Sequence, residues 1–356
     1  MTSIPQETTR VWADVDLRAL VLNARTVARI SGARLLPMVK ANGYGLGALA
    51  AARALEALDP WGFGVATVEE GAELRAGGIT RPVVVFTPLH PSLIPRYRAH
   101  DLRPVVGDTA GLTAWLAEPG APAFHVEIDT GMARAGFRWN ADGAWRERLA
   151  QAVGWEGVFT HFHSAGSDAA SVHRQWRRFQ QVLEALPRRP ALVHAANSAA
   201  ALAGPTYAAD LVRPGIFLYG GMAGPTVPEP VVRLRARVVA TRTVRAGDTV
   251  SYGGTWEAPR DTLIATLAAG YADGVPRSLG NKGAVELNGR VLPIVGRVTM
   301  DFLMVAVDGL VALHDVATIY GGLVSLDDQA RHAGTISYEL ITGLGTRVPR
   351  RYDQAS

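Results

Sequence analysis

The chain has 356 residues, 48% apolar and 19% charged, which is enough for one large barrel plus a smaller domain, or for two domains. Its 36 basic and 32 acidic residues leave a net charge of +4, but the cations are scattered and groups such as Arg174, Arg177 and Arg178 read as a solvated helix face, so nucleic acid is not an expected partner. Cysteine is absent, which excludes disulfides and thiolate chemistry; no apolar stretch is long enough for a bilayer and Met1 to Arg10 is polar, so a soluble, cytoplasmic protein with no membrane partner is expected.

Up to about residue 230, short apolar runs alternate with amphipathic stretches. The predicted strands are 34–39, 61–65, 83–86, 102–106, 124–128, 158–162, 192–195 and 211–212. Helical patterns are predicted between them at 48–58, 69–76, 93–100, 112–116, 144–153, 172–186 and 199–202. Apolar strands alternating with helices imply a parallel sheet covered on both faces, and eight of them suit a (β/α)8 barrel. The proline-rich link 225–230 marks a boundary, giving domains 1–230 and 231–356. Beyond it come β-branched runs cut by turns, including the hairpin signal Asn288-Gly289, and then a helical stretch from Ser337 to Thr346. The fold expected is α/β: a (β/α)8 barrel followed by a mostly β domain.

The first predicted strand ends at Lys40. Only two of the 36 basic residues are lysine, Lys40 and Lys282. Arginine replaces lysine as a surface charge, but not as an amine that must lose its proton and attack a carbonyl. Lys40 is followed by Ala41-Asn42-Gly43-Tyr44-Gly45, and the flanking glycines favour chemistry over a chance buried stem. Barrel sites gather at strand C-termini. There the chain places Glu127 and Arg134 near the fifth strand, His161 at the sixth, Asn197 and Ser198 after the seventh, and Arg213, Gly215 and Ile216 after the eighth. Ser198, Tyr44 and the amides of Gly215 and Ile216 are suited to a dianion. A phosphate site facing an amine nucleophile points to pyridoxal 5′-phosphate. The spacing of His163 and Asp168 does not build a recognisable zinc site, so no metal is expected.

Across both domains the sequence resembles the fold-type III pyridoxal-phosphate racemases, most closely the alanine racemase family. The resemblance rests on Val39-Lys40-Ala41-Asn42-Gly43-Tyr44-Gly45, Asp129-Thr130-Gly131-Met132-Ala133-Arg134, Thr160-His161-Phe162, Asn197-Ser198, the run 213–220, Gly270-Tyr271-Ala272-Asp273-Gly274, the run 296–301 and Arg347-Val348-Pro349-Arg350. It implies racemisation of L- and D-alanine within D-alanine biosynthesis, in a homodimer with shared active sites. It implies that Lys40 holds the cofactor and acts as one base, and that Tyr271, contributed by the partner subunit, is the other. Arg213 would face the pyridine nitrogen with His161 behind it. Tyr44, Ser198, Gly215, Ile216 and Tyr352 would hold the phosphate, with Asn197 beside them. Arg134 and Met300 would take the substrate carboxylate, Met300 from the partner subunit, and Asp301 would help form the entrance.

The chain departs from that pattern at three places. Glu127 stands where many relatives carry a carbamylated lysine, seven positions before Arg134 (134 − 7 = 127), and is expected to orient Arg134 through a charge-assisted bond. Thr299 replaces a common cysteine, and 164–167 differs from the usual run. Both border the substrate pocket in the family, which leaves a serine racemase or a broader amino-acid racemase as the alternative. A lyase of the same fold type and a non-catalytic pyridoxal-phosphate carrier fit less well. The carrier lacks the β domain, and decarboxylases of the type use a catalytic cysteine.

Overall fold

Eight parallel strands close into a ring in the computed structural model, which describes residues 9–120, 122–141 and 143–353. They are Arg34–Leu35, Phe63–Val65, Val83–Pro88, Arg103–Val106, Phe124–Asp129, Trp155–Phe159, Leu192–Asn197 and Leu211–Arg213. Neighbours in sequence pair in space, Leu211 pairs with Arg34, and a bridge between Met38 and Gly64 completes the circuit. These strands are buried on both faces, the reason they read as continuous apolar runs. Leu36, Trp61, Val84, Val105, Phe159, Leu192 and Leu211 pack together as one cluster of this barrel.

The helices carry their own start signals. Asp108 and Asp168 accept amide bonds as N-caps of Thr109–Leu116 and Ala169–Glu184, and Thr67 and Glu70 form a capping box at Val68–Ala76. Each cap contributes about 1 kcal/mol and, more to the point here, fixes where a strand-to-helix loop ends.

The second sheet is built on Val232–Val244, a strand of 13 residues. It pairs antiparallel with Val11–Asp16 and Val316–Tyr320 along one half and with Thr262–Leu267 along the other, and Leu303–Val307 extends that second half. Ala284–Leu287 and Arg290–Pro293 form a hairpin whose two loop residues, Asn288 and Gly289, both have positive φ (51° and 74°), as a type I′ turn needs.

The N-terminal segment corrects the reading of 1–230 as barrel throughout. Val11–Asp16 is a strand of the second sheet, paired antiparallel with Val232–Val244 and parallel with Arg350–Asp353. The helix Leu17–Ser31, capped by Asp16 and ended by Gly32 at φ 66°, leads from there to the first barrel strand. Its apolar stripe and caps are present in the sequence, but the strand before it is short and recognisable only through its distant partners. The helix Leu326–Ala333 and the strand Arg350–Asp353 were likewise not foreseen.

Candidate active site

Lys40 leaves the first strand into a left-handed turn. Ala41 (φ 53°, ψ 49°), Asn42 (φ 52°, ψ 50°) and Gly43 (φ 60°, ψ 48°) are followed by Tyr44 at φ 54°. Each residue here with a Cβ costs about 1–2 kcal/mol. The surroundings hold it in place. Glu70 accepts from Ala41 N and Ala66 N, both at 2.7 Å, and Asn42 Oδ1 accepts from Ala48 N at 3.0 Å. A Cβ on Gly45 would stand 2.2 Å from the Ile341 carbonyl oxygen, so the turn also needs glycine for close packing. Strain retained in this way is typical of functional sites. Its result is that Lys40 and Tyr44 line one cavity.

That cavity, of about 150 Å³, lies at the C-terminal mouth of the barrel and is also lined by Glu127, Arg134, His161, Asn197, Ser198, Arg213, Gly215, Ile216 and Tyr338. Arg213 is buried and held on three sides. Nη1 donates to His194 Nδ1 at 2.7 Å, and Nη2 donates to the carbonyls of Thr160 (2.8 Å) and Ala195 (3.0 Å) and lies 3.2 Å from His161 Nδ1. Its Nε makes no hydrogen bond to a described residue, which leaves that donor for the cavity. Burial pulls the guanidinium down to about 9, with Glu127 opposing and Arg134 adding to the shift, so it stays charged at neutral pH. Burial first, then Arg213, Arg134 and Lys40, push His161 down to about 3 and keep it neutral. The Lys40 ammonium is lowered by burial and by Arg134, while Glu70 opposes, so more free amine is present than on an exposed lysine.

Glu127 is buried beside these cations, and burial raises its carboxyl although Arg134 and Arg213 pull the other way. The expected bond between Glu127 and Arg134 is not formed. No hydrogen bond or ion pair joins them among the described residues, and they act on each other through the field only. Arg134 therefore keeps its guanidinium open to the cavity.

The other end of the cavity is lined by hydroxyls and by the Gly215–Ile216 backbone. Ser198 Oγ accepts from Gly215 N at 2.9 Å, and an added Cβ on Gly215 would stand 2.1 Å from the Tyr44 hydroxyl. Tyr44 is locked by stacking on Tyr219 (4.6 Å, 19°), whose hydroxyl donates to Met38 O. Asn197 caps the helix Ser198–Leu202 by accepting from Ala200 N at 3.1 Å.

Tyr352 is not at this end. Its strand pairs with Val11–Asp16, and its hydroxyl donates to Leu46 O at 3.0 Å, outside the cavity lining. Tyr338 takes the place expected for it. The helix Ser337–Thr342 brings its ring to 6.1 Å from Tyr44. Nothing in the local sequence marked Tyr338, because its helix is positioned by the Gly45 contact. His163 and Asp168 have local partners: Ser164 for the histidine and the Ser171 amide for the carboxylate.

Tyr271, Met300 and Asp301 lie outside the cavity too, together on the second domain. Tyr271 N donates to Thr299 O and Ala272 N to Met300 O, so their two loops are zipped together. Asp273, fully buried, accepts from Arg10 and Arg347, and Arg347 also reaches Asp301 at 2.7 Å. Tyr271 is 44% and Met300 52% exposed, and Phe302 adds to the same apolar surface. Another phenol was overlooked: Tyr252 is 74% exposed and lines a cleft with Thr299 and Phe302. It follows Ser251 at φ 68° and precedes Gly253 and Gly254 at φ 74° and 52°; Ser-Tyr-Gly-Gly after a short strand was the available signal.

Residues 15–223 match the family model described as alanine racemase, N-terminal domain, and 231–352 match alanine racemase, C-terminal domain. An alanine racemase of Deinococcus radiodurans is 39% identical over 96% of this chain and 99% of its own length. One of Carboxydothermus hydrogenoformans is 38% identical over the same shares. Among solved structures, alanine racemase from D-cycloserine-producing Streptomyces lavendulae superposes with a TM-score of 0.90 at 33% identity, covering 99% of both chains. Alanine racemase from Bartonella henselae, with covalently bound pyridoxal phosphate, gives 0.89 at 30% identity, covering 97% of this chain and 100% of its own.

Proposed function

Because the chain belongs to the alanine racemase family, we propose that it interconverts L- and D-alanine with pyridoxal 5′-phosphate, using Lys40 as one base and Tyr271 of the partner subunit as the other. One observation carries this reading: the only amine at the barrel mouth among the described residues, with its proton loosened, shares a cavity with a fixed guanidinium at one end and an anion cradle at the other.

The residues present fit the cofactor. The Lys40 amine would hold its aldehyde carbon, and Tyr44, Ser198, Gly215 and Ile216, with Tyr338 in place of Tyr352, would hold its phosphate. Arg213 would meet the pyridine nitrogen through the Nε that no described residue uses, with His161 and Asn197 supporting the surroundings. When bound, the cofactor supplies an electron sink for the α-carbon. Guanidinium does not release its proton, so Arg213 leaves that sink weak and favours rapid reprotonation over competing reactions. Lys40 removes or returns the α-proton on one side and the partner's phenol does so on the other, which is what inversion requires. Arg134 makes no hydrogen bond or ion pair among the described residues and suits the substrate carboxylate, with the Met300 amide of the partner subunit beside it and Asp301 of the partner subunit at the entrance.

In this reading 1–230 binds the cofactor and 231–356 supplies Tyr271 and Met300 to the partner's site. The exposed surface around Met300 and Phe302 supports a homodimer. Among the described residues no helix is long and apolar enough to cross a membrane. A cytoplasmic role in D-alanine biosynthesis accords with the reaction.

A second choice for the opposing base is Tyr252, whose exposed phenol follows the strained Ser251 (φ 68°) and lines a cleft with Thr299 and Phe302. Tyr271→Phe and Tyr252→Phe, assayed for racemisation and α-deuterium exchange on L-alanine and L-serine, decide it. The base is the one whose loss lowers turnover by about 10²-fold or more. No racemisation by wild type on either substrate would reject the whole reading.

A further inference from the structure

The barrel interior carries a polar thread that racemisation alone does not require. His125 and His194 are both fully buried; His194 stacks on Phe159 at 4.9 Å and His125 lies 5.5 Å from Trp61. A buried imidazole is costly unless its nitrogens are partnered. Here the partners fix every proton. Arg213 has donors only, so His194 Nδ1, 2.7 Å away, accepts. The His194 proton therefore sits on Nε2 and is donated to His125 Nδ1 at 2.9 Å. That leaves the His125 proton on Nε2, which makes no hydrogen bond but faces the Glu156 carboxylate at 3.4 Å. Glu156 Oε2 accepts from Arg103 Nε at 2.7 Å.

The thread runs the length of the barrel. Arg213 ends the last strand at the mouth, whereas Arg103 and Glu156 stand near the starts of their strands at the opposite end, partly open to solvent. The protein makes room for it: a Cβ on Gly157 would lie 2.4 Å from His125 Nδ1. Burial and the neighbouring cations both disfavour a proton charge on either histidine, so the two stay neutral and keep one tautomer each.

We infer that His125 and Glu156 are positioning residues for Arg213, with the carboxylate at the barrel floor favouring the same direction of the histidine protons that Arg213 requires and so helping to hold Nη1 while Nε faces the cavity. The inference rests on the proposed role of Arg213 at the pyridine nitrogen. The two hydrogen bonds from Arg213 to His194 and from His194 to His125 polarise one another, and the Glu156 carboxylate, 3.4 Å from His125 Nε2, acts on the end of that series through its charge. If Arg213 loosens, the ring nitrogen gains access to a proton, and in more turnovers the α-proton would be returned to the cofactor's aldehyde-derived carbon instead of the α-carbon; water would then release pyruvate, leaving the amino group on pyridoxamine phosphate and Lys40 as the free amine.

The test uses holoenzyme of wild type, Glu156→Gln, His125→Asn and Arg213→Lys. Two quantities are read: pyruvate released per racemisation, and the ¹⁵N shifts of the imidazoles. Wild type should show Nε2–H on both His125 and His194. Glu156→Gln, which keeps shape at a partly exposed position, should raise the pyruvate fraction about two- to tenfold, the worth of one weakened hydrogen bond. Arg213→Lys should raise it further, and His125→Asn should act in the same direction. If Arg213→Lys raises the fraction and Glu156→Gln changes neither readout, the thread has no positioning role while the cofactor assignment stands. If Arg213→Lys leaves the fraction unchanged, the role of Arg213 itself is wrong. A proton on Nδ1 of His194 in wild type overturns the inference without any variant.

Discussion

Gly215→Ala tests the anion cradle by filling it with one methyl group. The added Cβ would stand 2.1 Å from the Tyr44 hydroxyl oxygen and 2.9 Å from its ring carbon Cζ, well inside van der Waals contact. Tyr44 cannot retreat easily, because its ring stacks on Tyr219 at 4.6 Å and its backbone belongs to the left-handed turn. Overpacking of this kind costs about 1–3 kcal/mol. If the cost falls on the phenol's binding position, affinity for pyridoxal phosphate drops by about 5- to 150-fold. The assay is titration of apoenzyme followed by cofactor absorbance, with circular dichroism as the control for folding. Tyr44→Phe removes the atom in closest conflict, so the double variant should bind more tightly than the sum of the two single effects predicts. Additive losses, or an affinity for Gly215→Ala equal to wild type, would refute the argument that these two residues shape one phosphate site.

Three further outcomes are expected. Glu127→Gln removes the buried anion near Arg134 and Arg213 with little change in shape, and kcat should fall on the order of tenfold with the melting temperature nearly unchanged; an unaltered kcat argues against any electrostatic role for it. Asp273→Asn removes the carboxylate that gathers Arg10, Arg347 and Gly270 N; because both arginines stay partly solvated, it should destabilise the protein by about 1–3 kcal/mol in urea titrations, and a loss under about 0.5 kcal/mol would mean the network is incidental. Acid should unfold the apoenzyme early. His161 takes its proton only near pH 3 in the folded chain, while the unfolded chain takes it near 6.5, so its contribution is complete above 6.5 and is lost as pH falls through that window. The slope is about 1.4 kcal/mol per pH unit for each such histidine, and His125 and His194 shift in the same direction. A flat urea midpoint between pH 6.5 and 4 contradicts this.

Much of the barrel was legible because its strands are buried on both faces, so each run from Phe63 to Arg213 reads as apolar without need of its partners. The same reasoning explains what escaped. Val11–Asp16 owes its place to pairing with residues more than 200 positions away, and no local pattern carries that information. At the site, Lys40 stood out because an amine nucleophile has no arginine substitute. Tyr338 did not, since an aromatic on a short helix is ordinary until Gly45 and Ile341 bring it against Tyr44. Glu127 and Arg134 line one cavity without a hydrogen bond or ion pair between them among the described residues, and a spacing of seven residues gives no hint of whether the two side chains touch. The buried histidines were missed for a related reason: His125 and His194 look like strand residues among many, and only the closed ring sets them in line with Arg213.

The central claim is that the Lys40 amine carries the cofactor. Borohydride reduction of the holoenzyme, followed by proteolysis and mass spectrometry, reads this directly in a chain with only two lysines. The account predicts a single phosphopyridoxyl label on the peptide containing Lys40 and none on Lys282. A label on Lys282, or no label on a racemase that is active, contradicts it.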